Sequence, residues 1–126
     1  MPGIPTSEEV TLPGIPASVP AARRFVREAL PGCPRAGDLM LAVSELTSNA
    51  IAHSASGQGG SITVRVRTAL PRWARVDVTD DGPASGPLPE GNGWGLGIVR
   101  AVTDRGGSTM GAGGRLTAWA EVIWPA

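Results

Sequence analysis

Ser44-Glu45-Leu46-Thr47-Ser48-Asn49-Ala50-Ile51-Ala52-His53 sets a carboxylate, an amide and an imidazole at strict four-residue intervals within a helical apolar pattern. A helix turns about 100° per residue, so residues four apart drift by about 40° and share a face. Leu39, Val43, Leu46 and Ala50 then form an apolar stripe, with Glu45, Asn49 and His53 on an adjoining stripe at its edge. Polar groups placed there can look into a crevice lined by core while keeping access to water. A solvated helix edge would carry the same residues, so the helix alone leaves both readings open.

Working outward, Asp38 is the expected N-cap of this helix and His53 its approximate end. Upstream, Ser18 is a candidate N-cap for a first helix, with Pro20 tolerated in its opening turn. Val19, Ala22, Phe25, Val26, Ala29 and Leu30 make its stripe, with Arg23, Arg24 and Arg27 largely outside it. Pro31-Gly32 stops this helix. Residues 1–9 read as a flexible N-terminus, and Val10-Thr11-Leu12 as a short edge strand ended by Pro13-Gly14.

Downstream of the loop Ser56-Gly57-Gln58-Gly59-Gly60 the period changes from 3.6 to 2. Ile62, Val64 and Val66 alternate with Thr63, Arg65 and Arg67 in a strand over Ser61–Thr68. After a turn at Leu70-Pro71-Arg72, a second strand follows over Trp73–Asp80. It puts Ala74, Val76, Val78 and Asp80 on one face. Asp80-Asp81-Gly82-Pro83 ends it and opens a Pro/Gly loop that reaches Gly93. Leu96–Ala101 reads as a short helix, 106–114 as a glycine-rich link and Leu116–Ile123 as the last strand. A hairpin with one apolar face needs helices to cover it, so the fold class is α+β, a two-layer sandwich, with 10–126 as one domain.

Composition excludes several classes. Eleven basic and eleven acidic residues give zero net charge, and no basic run or aromatic-interleaved basic patch is present. That argues against direct nucleic-acid or membrane-surface binding. No apolar stretch of about 18 residues and no signal-like segment occurs. The single cysteine, Cys33, allows no intrachain disulfide, reads as an inert loop thiol, and fits a cytoplasmic protein. The chain contains no lysine, so a Walker-type phosphate loop is excluded.

Three constellations carry chemistry. The carboxamide oxygen of Asn49 suits a hard cation such as Mg²⁺, which takes oxygen ligands and keeps waters beside phosphate. Glu45, one turn earlier, suits a general base, and His53 either a phosphate contact or a helix-end residue. Asp80, on the inward face, needs compensation for its charge; a purine amino group would supply it, and Gly82 would let a flat ring approach the backbone. A local turn with Asp80 holding nearby amides is the plainer alternative. Gly93-Trp94-Gly95-Leu96-Gly97-Ile98-Val99 offers backbone amides to phosphate oxygens, or is simply a flexible glycine loop. Trp73, Trp119 and Trp124 read as packing or interface residues.

In this order the motifs resemble those of the histidine-kinase-type ATPases, and more closely the small anti-sigma-factor serine/threonine kinases of actinobacteria. Glu45–His53 resembles the N box, Asp80-Asp81-Gly82-Pro83 the first glycine box, Gly93–Val99 the second, and 114–122 the closing strand. The resemblance implies a mixed, mostly antiparallel β-sheet covered on one face by α-helices, with ATP and Mg²⁺ held between the layers. It implies Glu45 as general base, Asn49 as Mg²⁺ ligand and Asp80 as acceptor of the adenine amino group. His53, Gly82, Gly93, Gly95, Leu96 and Gly97 would line the base pocket and phosphate lid, and Thr117 would assist near the adenine. The implied activity is phosphorylation of a small anti-anti-sigma (STAS-type) partner, with regulation of a sigma factor and a possible homodimer. The alternative is a catalytically weak or inactive ATP-binding regulator acting through protein contacts.

This sequence departs from the family pattern in two ways. Ten residues separate Gly82 from Gly93, with no lysine or arginine among them, and Trp94 stands where close relatives often have arginine. No sensor or phosphoacceptor-histidine domain precedes the motifs, so a self-contained sensor histidine kinase is not expected.

Overall fold

Alternate residues of the strands separate into an apolar face and a polar one, and the helices lie on the apolar face. The computed structural model describes residues 5–69, 71–82 and 96–126. Its strands are β1 (Thr6–Pro13), β2 (Ser61–Ala69), β3 (Trp73–Asp80), β4 (Arg105–Met110) and β5 (Leu116–Ile123). The helices are α1 (Ser18–Ala29), α2 (Ala36–His53) and α3 (Leu96–Val102). The strands form one sheet in the order β1-β2-β3-β5-β4, and each of these pairings is antiparallel. The architecture is the α+β two-layer sandwich that the periodicity implies, though the described sheet is antiparallel throughout rather than mixed.

The core lies between the layers. Ile62, Val64 and Val66 of β2, Ala74, Val76 and Val78 of β3, and Ala120 and Val122 of β5 are buried on the inner face. Above them lie Ala22 and Val26 of α1 and Leu39, Val43, Leu46 and Ala50 of α2. Helix α2 packs against α1, α3, β3 and β5, so its polar groups have few places to go. Thr47 is fully buried, and its hydroxyl donates back to the Val43 carbonyl at 2.6 Å. This local bond satisfies it without a distant partner.

Among the described residues no helix covers the outer face, which is knit by charges. The Asp77 carboxylate accepts from Arg67 at 3.2 Å and from Arg75 at 2.9 and 3.0 Å. Arg75 also lies over the Trp119 ring, 4.3 Å from its centroid, and the Trp73 indole donates to Glu121 at 2.7 Å. Both tryptophans are therefore part of this lattice, in keeping with a packing role.

Four local expectations change. Strand β1 begins at Thr6, four residues before Val10; Ser7-Glu8-Glu9 has no apolar alternation, yet its backbone pairs with β2 as an edge. The cap of α1 is Ala17, because the Ser18 hydroxyl donates instead to the Pro13 carbonyl at 2.5 Å. Helix α2 starts at Ala36 with Arg35 as its cap, because Asp38 sits inside the first turn, paired with Arg35 at 2.6 Å. The link expected over 106–114 holds β4. Gly106 and Gly107 carry no strand signal, but a side chain on Gly107 would meet the Trp119 ring at 3.2 Å. The glycine lets the edge strand lie flat against that indole.

Candidate functional site

Helix α2, α3 and the strands β3, β5 and β4 enclose a cavity of about 270 Å³. Leu46, Ala50, Val78, Val99, Leu116 and Ala118 supply an apolar wall. Asn49 and His53 line it from α2, Asp80 and Gly82 from the end of β3, and Arg100 from α3. Four of the sequence-predicted residues, Asn49, His53, Asp80 and Gly82, are thus brought together from segments about 30 residues apart.

The other predicted residues fall elsewhere. Glu45 is half-buried on α2 and does not line the cavity. A four-residue spacing drifts about 40° each time, so Glu45 is rotated about 80° from His53 around the helix. Gly97 lies within α3, exposed and outside the lining. Thr117 corrects the expectation of an adenine contact. Asp80 pairs with Leu116 across β3 and β5, so Thr117 takes the opposite face, where its hydroxyl meets that of Thr79 at 2.8 Å. Gly93, Gly95, Trp94 and the Leu96 side chain lie outside the described residues.

Asp80 is the electrostatic centre of the pocket. It is only 8% exposed, and its Oδ1 accepts the Gly82 N–H at 2.7 Å. Burial pushes its carboxyl above the usual range, while the amides of Gly82 and Leu116 pull the other way and the neighbouring Asp81 charge adds to the rise. The plainer reading, a carboxylate holding local backbone amides, therefore describes part of its environment. The same side chain also lines an apolar cavity, where a hydrogen-bond donor on a ligand would relieve its desolvation.

Gly82 has a more structural reason than ring approach. Its φ is +91°, and a β-carbon would stand 2.3 Å from the Gly114 carbonyl oxygen. Its own carbonyl accepts the Ala55 N–H at 2.8 Å, which ties the β3 end to the segment following α2.

A second anchor holds the same corner. Ser56 is fully buried; its hydroxyl donates to the Ser61 carbonyl at 2.7 Å and accepts the Asp81 N–H at 2.9 Å. Asp81 accepts the Ser61 N–H at 3.1 Å. These bonds fix Asp80 relative to Asn49 and His53. Ser56 has no signal in the sequence, since a serine beside glycines carries no pattern.

Arg100 lines the cavity and Arg105 does not. Among the described residues no group of three or more His, Cys, Asp or Glu is arranged to hold a metal ion. The donor set fits Mg²⁺ only in the form that such a cation tolerates, one protein oxygen from Asn49 with the rest from phosphate and water.

An antiparallel sheet covered by helices, with an apolar slot closed by one buried carboxylate and flanked by an amide, defines the histidine-kinase-like class of ATP-binding domain. Residues 12–118 match the family described as "Histidine kinase-like ATPase domain", and the chain belongs to it. The chain is similar to the crystal structure of the RsbU and RsbW domains of Rv1364c from Mycobacterium tuberculosis, with a TM-score of 0.76 and 25% identity. The match covers 96% of this chain and 34% of that one, so the chain spans about a third of its length. No curated protein matches it. No helix among the described residues is long and apolar enough to cross a membrane.

Proposed function

We propose that the chain binds ATP with Mg²⁺ in this pocket and transfers the terminal phosphoryl group to a serine or threonine of a small anti-anti-sigma protein in the cytoplasm, thereby regulating a sigma factor. The observation that carries the reading is the buried Asp80 carboxylate on an apolar wall opposite α2, together with Asn49 on that helix. Asp80 accepts the exocyclic amino group of adenine, and Leu46, Val78 and Ala118 contact the ring faces. Asn49 gives its carboxamide oxygen to Mg²⁺. Four residues earlier and about 6 Å along the helix axis, Glu45 draws the proton from the attacking hydroxyl, and in-line positioning does most of the remaining chemistry. His53 stays a neighbour of the phosphates. A homodimer of such domains fits the same reading.

One observation favours a second reading, an ATP-binding regulator with little or no transfer. Glu45 stands outside the cavity lining. A base can be brought to its substrate only when the complex assembles, so the two readings are separated by activity. Incubation of the protein with Mg-ATP and cognate anti-anti-sigma proteins is expected to label a Ser or Thr. Glu45→Gln is expected to abolish labelling while leaving ATP affinity within about threefold. Saturable ATP binding without labelling of any such protein would establish the regulator reading instead.

A further inference from the structure

The cavity contains one arginine and, among the described residues, no other permanent cation. The sequence between Gly82 and Leu96 contains no arginine or lysine either. Arg100 is therefore the side chain on which the anionic end of a ligand depends, and it rides on α3, a helix of seven residues. Such a short helix cannot hold its own position by internal hydrogen bonds. Val99 packs it into the core. Its C-terminal turn is held from outside, by Arg35.

The Arg35 guanidinium makes four bonds to three parts of the chain. Nε donates to Asp38 at 2.6 Å, and Nη2 to the Val102 carbonyl at 2.9 Å, at the last residue of α3. Nη1 donates to Asp104 at 3.1 Å and to the Ile123 carbonyl at 2.7 Å. Asp104 in turn accepts the Ile123 N–H at 2.8 Å, and its own N–H donates to the Glu121 carbonyl at 2.9 Å. The start of α2, the end of α3 and the end of β5 thus meet at one planar fork. Two residues, about 3 Å of helix rise, separate Arg100 from the held carbonyl.

We infer that Arg35 and Asp104 are positioning residues that lock α3 so that Arg100 meets the phosphates of a bound nucleotide. The inference rests on the nucleotide reading of the pocket. It assigns the cationic contact of a cavity that has no other permanent cation among the described residues, and it places control of that contact at the Arg35 junction. A lysine at position 35 cannot reproduce the fork, since an ammonium offers a point charge in place of a planar donor array.

Calorimetric titration with ADP and with adenosine, on the full chain, separates the possibilities. The wild type is expected to bind ADP more tightly than adenosine. Arg100→Gln is expected to lower ADP affinity about tenfold, the size of one charged hydrogen bond, and leave adenosine within about twofold. Arg35→Lys and the milder Asp104→Asn are each expected to lower ADP affinity at least about fivefold with adenosine again unchanged. If either clamp variant lowers the melting temperature yet keeps the wild-type ratio of the two affinities, the clamp is structural only and the inference is overturned. Equal loss of both ligands overturns it too. A wild type that binds neither ligand removes the nucleotide reading and this inference together, an outcome distinct from unchanged ratios on a binding-competent protein.

Discussion

Asp80 joins a cost to a use. Its folded carboxyl titrates above the ordinary range because burial disfavours the charge. For a carboxylate raised in this way the charged form is destabilising. The cost is fully present above the folded pKa and disappears as pH falls through it toward the unfolded value of about 3.9. Asp80→Asn is therefore expected to raise the melting temperature of the ligand-free protein at neutral pH, with the difference closing in acid. The same change is expected to weaken ATP by about 10- to 100-fold, because it replaces a charged acceptor facing the adenine amino group. Melting curves and titrations on one preparation check both signs. Gly82 is constrained differently: Gly82→Ala combines a positive φ with a backbone contact at 2.3 Å. It is expected to cost more than about 2 kcal/mol in urea unfolding, by strain rather than by lost ligand contacts.

Helix α2 and the strands β2, β3 and β5 were legible because each buries one face, and burial writes a period into the sequence. Strand β3 from Trp73 to Asp80 and strand β5 from Leu116 to Ile123 have the expected bounds. What could not be read shares a cause. Strand β4 is an edge whose Gly107 is dictated by the Trp119 indole on its neighbour, and the β1 start is held by pairing with β2 and by polar contacts of Thr6 and Ser7, not by a buried face. Arg35 joins residues as far as 88 positions away, so no local spacing announces it. Asn49, His53, Asp80 and Gly82 line one cavity because the helix and strand periods bring them to its side. Thr117 went astray at a site predicted from resemblance, where the strand's alternation pointed outward. Helix α3 offers a check on glycine at this scale. A methyl group on Gly97 meets none of the described residues within 4 Å. Gly97→Ala is expected to stabilise the protein by about 0.5–1 kcal/mol and leave ATP affinity within about twofold.

Across the whole molecule, the sheet separates two tasks. Its inner face is core along β2 and becomes pocket at the β3, β5 and β4 side, while its outer face carries the Asp77 lattice. Burial pushes the Cys33 thiol above its ordinary value, in keeping with an inert loop residue. The pocket sits where α2 and α3 meet the sheet, so ligand binding reads the packing of both layers at once. The central claim is that this cavity takes a nucleotide. Isothermal titration of the wild-type chain with Mg-ATP, carried to millimolar ligand, tests it most directly. One saturable site per chain, weakened by Asp80→Asn, is the expected result. The absence of any saturable heat from a folded protein at those concentrations would contradict the account.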